Sequence, residues 1–462
     1  MLLKIRPAFK QERVFQRARR LATSSLVALG KRTISGLLCT NAEQFDDWSA
    51  TYRLFAKGRM DTQAVFAPAR NTVIERLRQD EALVVMMDDT LIRKRGRKVH
   101  GAGWKRDPLG PHFCNNFVWG QRFLQMSAAL PDRDCEGRAR AIPIDFTHAP
   151  SPSKPRKRAP EEEWQRYHAL KEEMKISSLA ADKLRELHGQ VDGKHIICSV
   201  DGGFTNRTVF RDVPENTTLI GRIRKDAKLF AVPEEKLGSG RGRRRFYGAA
   251  LPTPDAVRQD ESIPWQEVEA YAAGKRHLFE VKGMPCVRWQ GTGERTVQVV
   301  IVRPLAYRPR KGAHLLYRNP AYLLCTDTSL DLPRLIQAYL WRWEIELNFK
   351  EEKTAIGLGE AEVRTKQSVE NVPALVVAAY TYMLLAGTDH RVTQKSLPRP
   401  KWQKHLKNER ASAQQMRSML RAQLWNMAIE KNKIGFVNAK PNLQTRFYSH
   451  GTLNNAVCYA LR

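Results

Sequence analysis

At 462 residues the chain is longer than one ordinary domain, and domain-size statistics suggest roughly two to four compact units. Hydrophobic residues make up 42% of the chain and charged residues 27%, a balance that excludes a wholly disordered protein. The formal net charge is +30, since 78 Lys and Arg oppose 48 Asp and Glu. Because the basic residues recur along the whole chain, this charge favours nucleic acid over a membrane surface as partner.

The seven cysteines are far apart and form no CxxC pair, a spacing that indicates neither a disulfide framework nor a zinc cluster. The opening residues contain no apolar core of the length that a secretory signal needs. The longest apolar stretch, residues 372–387, contains Pro373 and falls short of a membrane span. We therefore expect a cytoplasmic protein that does not bind membranes.

Residues 1–77 carry hydrophobic residues three and four apart among many Arg and Lys, which predicts a helical domain that could bind DNA. Within it, residues 24–40 (SSLVALGKRTISGLLCT) read as a helix, a turn at Gly30 and a second helix. Such a pair can place a short helix in a DNA major groove, or it can serve only as scaffold. The pattern leaves both interpretations open.

A strand-and-helix pattern occupies residues 78–230. The apolar run ALVVMM, residues 82–87, predicts a buried strand that ends at Asp88 and Asp89. Two further strands are predicted around residues 113–119 and 122–130, joined by a tight turn at Gly120 and Gln121, so that the three strands suggest a meander. A long amphipathic helix is predicted at 161–190, followed by the strand HIICSV, which stops at Asp201, and by another possible strand at 218–224.

In the second half of the chain the residue pattern changes twice, near residue 231 and near residue 319. Residues 231–318 contain Gly-rich basic segments and alternating stretches such as RTVQVVIV, which predict a β-rich insertion. AYLLCTD, within residues 319–397, resumes the buried-strand pattern, and Leu332 to about Ile356 is predicted to be helical. Residues 398–462 form a basic segment with helical character and no definite role.

Two of the predicted strands have a carboxylate at their C-terminal ends. In one strand this is Asp88 or Asp89, and in the other it is Asp201. In open α/β sheets catalytic groups gather at that edge. Aspartate also commonly caps a strand or begins a turn, so each site taken alone has a purely structural explanation.

The predicted helix from Leu332 adds a polar stripe. Tyr339, Arg342, Glu346 and Lys353 stand at offsets of zero, three, seven and fourteen, which at about 100° per residue fall within an arc of roughly 60° on one face. An exposed helix with an ordinary ion pair between Arg342 and Glu346 would explain part of this stripe but not the tyrosine. Large apolar residues cover the other faces, so the stripe is expected to face a cleft.

The spacing Tyr-x2-Arg-x3-Glu-x6-Lys resembles the signature of DDE transposases of bacterial cut-and-paste insertion sequences, and the order of the predicted elements from about residue 20 to 390 is similar as well. The resemblance implies an α/β fold: a ribonuclease-H-like catalytic core, residues 78–230 and 319–397, interrupted by the β-rich insertion and preceded by an N-terminal helical DNA-binding domain. It also implies metal-dependent cleavage at transposon ends and strand transfer into target DNA.

By the same resemblance, Asp89, Asp201 and Glu346 are the catalytic residues and the ligands of two Mg²⁺ ions, with Mn²⁺ tolerated. Asp88 is the rival for the first position, and Asp89 is preferred because Thr90 follows it, as Thr or Ser often follows the family's first aspartate. The segment after Asp201, DGGFTNR, departs from the family's more usual Asp-Arg continuation. Three carboxylates suit hard cations, which keep open positions for a phosphodiester.

Tyr339, Arg342 and Lys353 would hold DNA phosphates beside the metals. Trp289, in the insertion, could stack on an exposed base or be buried in the insertion's own core. The implied partner is double-stranded DNA, both terminal inverted repeats and target, bound by a homodimer that holds two ends. The alternatives are a nuclease of the same fold that never joins strands, and a non-catalytic DNA-binding relic.

Overall fold

The structure is a computed structural model that describes residues 1–107, 110, 113–114, 116–191, 193–233, 245–308, 312, 314–393, 401–403 and 410–431. Residues 234–244, in the Gly-rich basic part of the predicted insertion, and the C-terminal segment after residue 431 lie outside the described residues.

Helices occupy the N-terminal part, the middle and the C-terminal third of the chain. The α-helices are α1 Glu12–Val27, α2 Ile34–Thr40, α3 Ser49–Ala56, α4 Ala67–Arg76, α5 Glu161–Glu173, α6 Ile176–Gln190, α7 Arg207–Phe210, α8 Pro254–Gln259, α9 Leu332–Trp341, α10 Trp343–Glu351, α11 Lys366–Thr393 and α12 Ala413–Lys431. Short 3₁₀ segments lie at Leu2–Ala8, Gln290–Thr292 and Lys401–Gln403, and a π-helical segment at Glu352–Ile356.

The strands are β1 Leu83–Arg93, β2 Gly103–Arg106, β3 Phe117–Pro131, β4 Ala139–Ala149, β5 Ile196–Val200, β6 Thr217–Arg222, β7 Leu229–Ala231, β8 Ala250–Leu251, β9 Gln266–Ala272, β10 Lys275–Trp289, β11 Thr296–Val302, β12 Ala306–Tyr307, β13 Leu316–Tyr317 and β14 Ala321–Cys325. Twelve of them form one sheet in the order β2-β3-β1-β5-β6-β14-β11-β10-β7-β8, with β4 beside β3 and β9 beside β10. β1, β5 and β6 run parallel and the other pairs antiparallel.

Helices cover both faces of this sheet. One face packs against the N-terminal helices, α6 and α11, and the other against α9 and α10. β1 is buried on both sides, as a central strand in such an arrangement must be, and it therefore reads as a continuous apolar run. The result is a mixed α/β fold, which fits the expected ribonuclease-H-like core.

Two strand predictions were wrong in their bounds. β1 does not stop at the aspartates but continues to Arg93, because β3 remains its hydrogen-bonded partner beyond them. β3 also runs without a break through Gly120 and Gln121, where a turn was predicted. The glycine serves close packing instead, since a Cβ on Gly120 would come within 2.6 Å of the Ile92 carbonyl oxygen.

Other elements differ from the predicted pattern in continuity. The single helix predicted at 161–190 is two helices, α5 and α6, separated at Met174 and Lys175. Residues 231–318 are rich in strands, as expected, but β10 and β11 join the main sheet through β14. The region therefore extends the sheet of the core.

The N-terminal helices share their core with the sheet. Residues of α1, α2 and α4 belong to one buried cluster with β1 and α11. The predicted helix, turn and helix at 24–40 is present, but Ile34, Leu37 and Leu38 of the second helix are buried. The burial of most of this helix favours the scaffold interpretation of the motif.

α11 is the central helix of the cluster. It contacts α1, α3, α12 and β4, and it contains Pro373 near its start. By length and composition Lys366–Asp389 could span a membrane, contrary to the sequence estimate, but 89% of its most apolar window is buried inside the protein. Burial of this kind is typical of a core helix.

Because Leu384 of α11 is fully buried, we expect Leu384→Ala to lower the free energy of unfolding by about 2–5 kcal/mol through lost burial and the cavity it leaves. Urea denaturation followed by circular dichroism measures this. The control is Leu278→Ala on β10, a leucine that is 54% exposed, for which the loss should be much smaller. Equal losses would contradict the placement of α11 in the core.

Candidate active site

The alternation of side chains along β1 places Asp88 and Asp89 on opposite faces of the sheet. Val84 and Met86 point into the buried cluster that contains Ile345 of α10. Val85 and Met87 point to the opposite face, into the cluster that contains α11. Asp88 continues the series of Val84 and Met86 and lies on the face covered by α10, and Asp89 lies on the other.

Asp201 comes to the same edge as Asp88. Met87 pairs with Val200 in the parallel register of β1 and β5, so the next residues of the two strands are neighbours. The Asp201 Oδ1 accepts hydrogen bonds from the backbone N–H groups of Gly203, at 2.8 Å, and Phe204, at 3.3 Å. These bonds orient the carboxylate and end the strand in a turn.

Arg342 links Asp88 to Glu346. Its Nη1 lies 3.1 Å from Asp88 Oδ2 and its Nη2 lies 3.2 Å from Glu346 Oε1. The Arg342 side chain is only 8% exposed, whereas that of Glu346 is 43% exposed. One buried guanidinium therefore joins a carboxylate of the sheet to a carboxylate of the helix.

The electrostatics of Asp88 reflect crowding by negative charge. Burial, and then the charge of Asp201, raise the pKa of Asp88 to about 7, although Arg342 opposes the shift. Burial alone would lower the pKa of Arg342, but Tyr339, Asp88 and Glu346 raise it overall. Arg342 thus stays charged, and it does not fully compensate the negative charge around it.

Asp89 contacts basic side chains on the other face of β1. Its Oδ2 lies 3.0 Å from Nε of Arg122, and the charges of Asp201, Lys105 and Lys353 also act on it. Burial raises the pKa of Asp89, and Arg122 opposes this. Asp201 thus acts on both aspartates, whereas Arg342 links only Asp88 to Glu346.

The polar stripe of the helix is divided because the helix is not continuous. Arg342 forms a turn between α9 and α10, and a π-helical segment begins at Glu352. The guanidinium of Arg342 lies 5.9 Å from the centre of the Tyr339 ring, and Glu346 is its hydrogen-bond partner, so these three residues do gather. Lys353 lies within the π-helical segment, and the charges that act on it are those of Glu352, Arg93 and Asp89.

Trp289 lies away from this cluster. Its ring packs edge-on against Phe210, with centroids 6.0 Å apart, and it lies against the cluster on the α11 side of the sheet. A Cβ on Gly291 would come within 2.1 Å of the Trp289 ring. Of the two interpretations of Trp289, the half-buried indole favours burial in the fold.

Glu352 is a buried acid that the sequence analysis missed. Its side chain is fully buried at the start of the π-helical segment, and burial raises its pKa to about 8, with Gln125 opposing the shift. Gln125 pairs with Asp88 across β1 and β3. In the sequence, Glu352 stands in the charged run KEEK and has no feature that distinguishes it from a solvated residue.

The acidic residues fit a hard cation by their chemistry. Within the described part of the chain no three Asp, Glu, His or Cys side chains stand close enough to hold an ion as they are. Asp88, Asp201 and Glu346 nevertheless supply oxygen donors around one cation, the Arg342 guanidinium. The raised pKa of Asp88 indicates that this position would be stabilised by more positive charge. Glu346, long and 43% exposed, has room to turn toward the aspartates.

Comparison with known proteins gave one family. The family described as DDE superfamily endonuclease matches residues 6–281, more than half of the chain, a range that includes both aspartate strands and ends before Glu346. No curated protein matches the chain. The helix pattern from Tyr339 to Lys353 lies outside the matched range.

The burial of Glu352 predicts how the free energy of unfolding changes with pH. Because the pKa of Glu352 is about 8 in the folded protein and ordinarily about 4.5, its neutral form stabilises the fold below about pH 4.5, and this contribution is lost as the pH rises through 8. We expect the stability of the wild type relative to Glu352→Gln to fall by up to about 1 kcal/mol per pH unit over this window.

Urea denaturation of both proteins at about pH 5, 6.5 and 8 measures the trend. The matched control is Glu173→Gln on α5, an exposed glutamate for which no such trend is expected. A difference between the wild type and Glu352→Gln that stays constant with pH would contradict a neutral Glu352.

Proposed function

The chain belongs to the DDE superfamily endonuclease family, and from this premise we propose that it is a cut-and-paste transposase with the Tyr-Arg-Glu-Lys helix pattern. The observation that carries the proposal is the arrangement of Arg342 between Asp88 and Glu346, with Asp201 next to Asp88. Carboxylates from two adjacent strands and one helix thus lie around a single positive charge.

We propose Asp88, Asp201 and Glu346 as the residues that would hold two Mg²⁺ ions. When bound, such a pair activates a water and stabilises the leaving 3′ oxygen of a phosphodiester. Asp88 replaces Asp89 in this assignment because its side chain lies on the α10 side of the sheet. Asp89, in contact with Arg122, would instead position the basic residues beside the site.

Tyr339, Arg342 and Lys353 are proposed to hold DNA phosphates. A guanidinium can present two N–H groups to a phosphate as it does to a carboxylate. With Asp88 and Glu346 engaged as metal ligands, Arg342 would lose these two partners and could turn to the DNA backbone. Lys353 lies on the Asp89 side, so the side chains of Arg342 and Lys353 would contact different parts of the DNA strand.

The proposed substrate is double-stranded DNA, first the terminal inverted repeats of an element and then a target. A net charge of +30 favours binding to the phosphate backbone and makes the affinity sensitive to salt. Two ends must be held together for insertion, so we propose a homodimer on DNA in the cytoplasm.

The second candidate is an endonuclease of the same family that hydrolyses DNA without joining it. The family description supports cleavage and does not extend to strand transfer. Incubation of the protein and Mg²⁺ with pre-cut ends and a supercoiled target separates the two. Joined products are expected; nicking of the target without joining would instead favour the plain nuclease, and metal-independent binding alone would favour a non-catalytic relic.

The assignment of the first carboxylate is tested by a matched pair of substitutions. We expect Asp88→Asn and Glu346→Gln each to reduce Mg²⁺-dependent cleavage by at least about 100-fold, since even groups around metal ligands are worth about 10- to 100-fold. Asp89→Asn should reduce it less than Asp88→Asn. Cleavage of labelled DNA ends is the measurement, and a larger loss in Asp89→Asn would restore Asp89 as the ligand.

A further inference from the structure

A cavity of about 1260 Å³ lies on the side of α10 that faces away from the carboxylates. Trp343, Glu344 and Leu347 of α10 line it, whereas Asp88, Asp201 and Glu346 do not. The other walls come from the hairpin of β9 and β10, the hairpin of β12 and β13, the start of β4 and residues 410–412. α10 is therefore a shared wall between the cavity and the candidate active site.

The lining of the cavity is strongly basic. Six of its side chains are Arg or Lys and two are Glu: Arg138, Arg140, Lys275, Arg308, Arg318 and Arg410 against Glu344 and Glu351. Burial, and then the nearby charge of Arg410, lower the pKa of Arg140 to about 10. Arg410 is paired with Glu344 at 2.6 Å and Arg138 with Asp132 at 2.7 Å, so the charge that favours an anionic occupant comes mainly from Lys275, Arg308 and Arg318.

Aromatic rings accompany the basic groups. Trp343 is 54% exposed at the cavity, and Tyr307 stands at its rim with the Arg318 guanidinium 4.9 Å from the centre of its ring. Trp341 is fixed in the wall, because its indole N–H donates to the Gly137 carbonyl oxygen at 2.7 Å. Exposed rings beside cations are the chemistry with which proteins bind unpaired bases and their phosphates.

The cavity also contacts the active site through one side chain. The Arg342 guanidinium that joins Asp88 and Glu346 lies 5.1 Å from the centre of the Trp343 ring. An occupant stacked on Trp343 would therefore change the surroundings of Arg342.

We propose that this cavity binds an unpaired DNA strand on the far side of α10 from the carboxylates, with bases against Trp343 and Tyr307 and phosphates on Lys275 and Arg318. The proposal rests on the proposed function and extends it by assigning a place for single-stranded DNA. The cavity is somewhat larger than small-molecule sites of about 300–1,000 Å³, a volume that suits a few nucleotides.

The test compares single-stranded and duplex DNA of one sequence. Lys275→Glu/Arg318→Glu reverses two charges at the cavity, and Arg166→Glu/Lys171→Glu reverses the same two residue types at exposed positions of α5. Fluorescence anisotropy with a labelled 12-nucleotide strand gives the Kd at about 50 and 200 mM salt. We expect the cavity variant to weaken single-strand binding by about 10-fold. The slope of the logarithm of the binding constant against the logarithm of the salt concentration should become shallower by about 1.4, the value for two phosphate contacts on a single strand. The duplex affinity of the cavity variant should match that of the α5 variant.

Stacking is tested separately at Trp343. Trp343→Leu should weaken single-strand binding by about 5- to 100-fold, and Trp343→Phe, which keeps an aromatic ring, should weaken it less. Thermal unfolding of each variant verifies folding, and the Lys275/Arg318 variant remains decisive if Trp343→Leu does not fold.

The outcomes separate this proposal from the proposed function. Loss of single-strand affinity confined to the cavity variants supports the cavity as the site. If the cavity and α5 variants lose affinity equally, or single-stranded and duplex DNA are affected alike, the cavity assignment is overturned, while Mg²⁺-dependent cleavage by the wild type still upholds the function. A wild type that neither binds nor cleaves DNA would overturn both.

Discussion

Repulsion between carboxylates at one edge of the sheet is the constraint on which the candidate site depends. Asp88 and Asp201 end up side by side because β1 and β5 run parallel in a fixed register, and α10 brings Glu346 above them. Without a counter-charge this arrangement would be unfavourable at neutral pH. Arg342 supplies the counter-charge inside the chain, and its burial keeps it in place.

The helix that carries the polar residues is irregular in two places. Arg342, between α9 and α10, keeps helical dihedral angles while its side chain contacts Asp88 of the sheet. Beyond it, the π-helical segment carries Lys353 to the Asp89 side and buries Glu352. Departures from regular helix often occur at functional sites, and here they distribute charge over both sides of β1.

α10 connects three features that are separate in the sequence. Its inward residues pack on the sheet, Glu346 contacts Arg342, and Trp343 lines the basic cavity. Because Arg342 contacts both Glu346 and the Trp343 ring, changes on one side of the helix reach the other through a single side chain. The strands of the expected insertion form part of the cavity wall, and this is possible because they continue the sheet of the core.

The sequence by itself determined the local features: the buried strands before the aspartates, the strand-rich region, and the helix with Arg342 four residues before Glu346. Periodicity and turn residues act over a few positions, so they could be read directly. Only the tertiary structure showed on which face of β1 Asp88 and Asp89 each lie. Every residue from 82 to 87 is apolar and both faces of β1 are buried, so the sequence pattern could not tell the two faces apart. The tertiary structure also decided that Gly120 serves packing and that Trp289 is packed against Phe210, since both depend on neighbours distant in the chain.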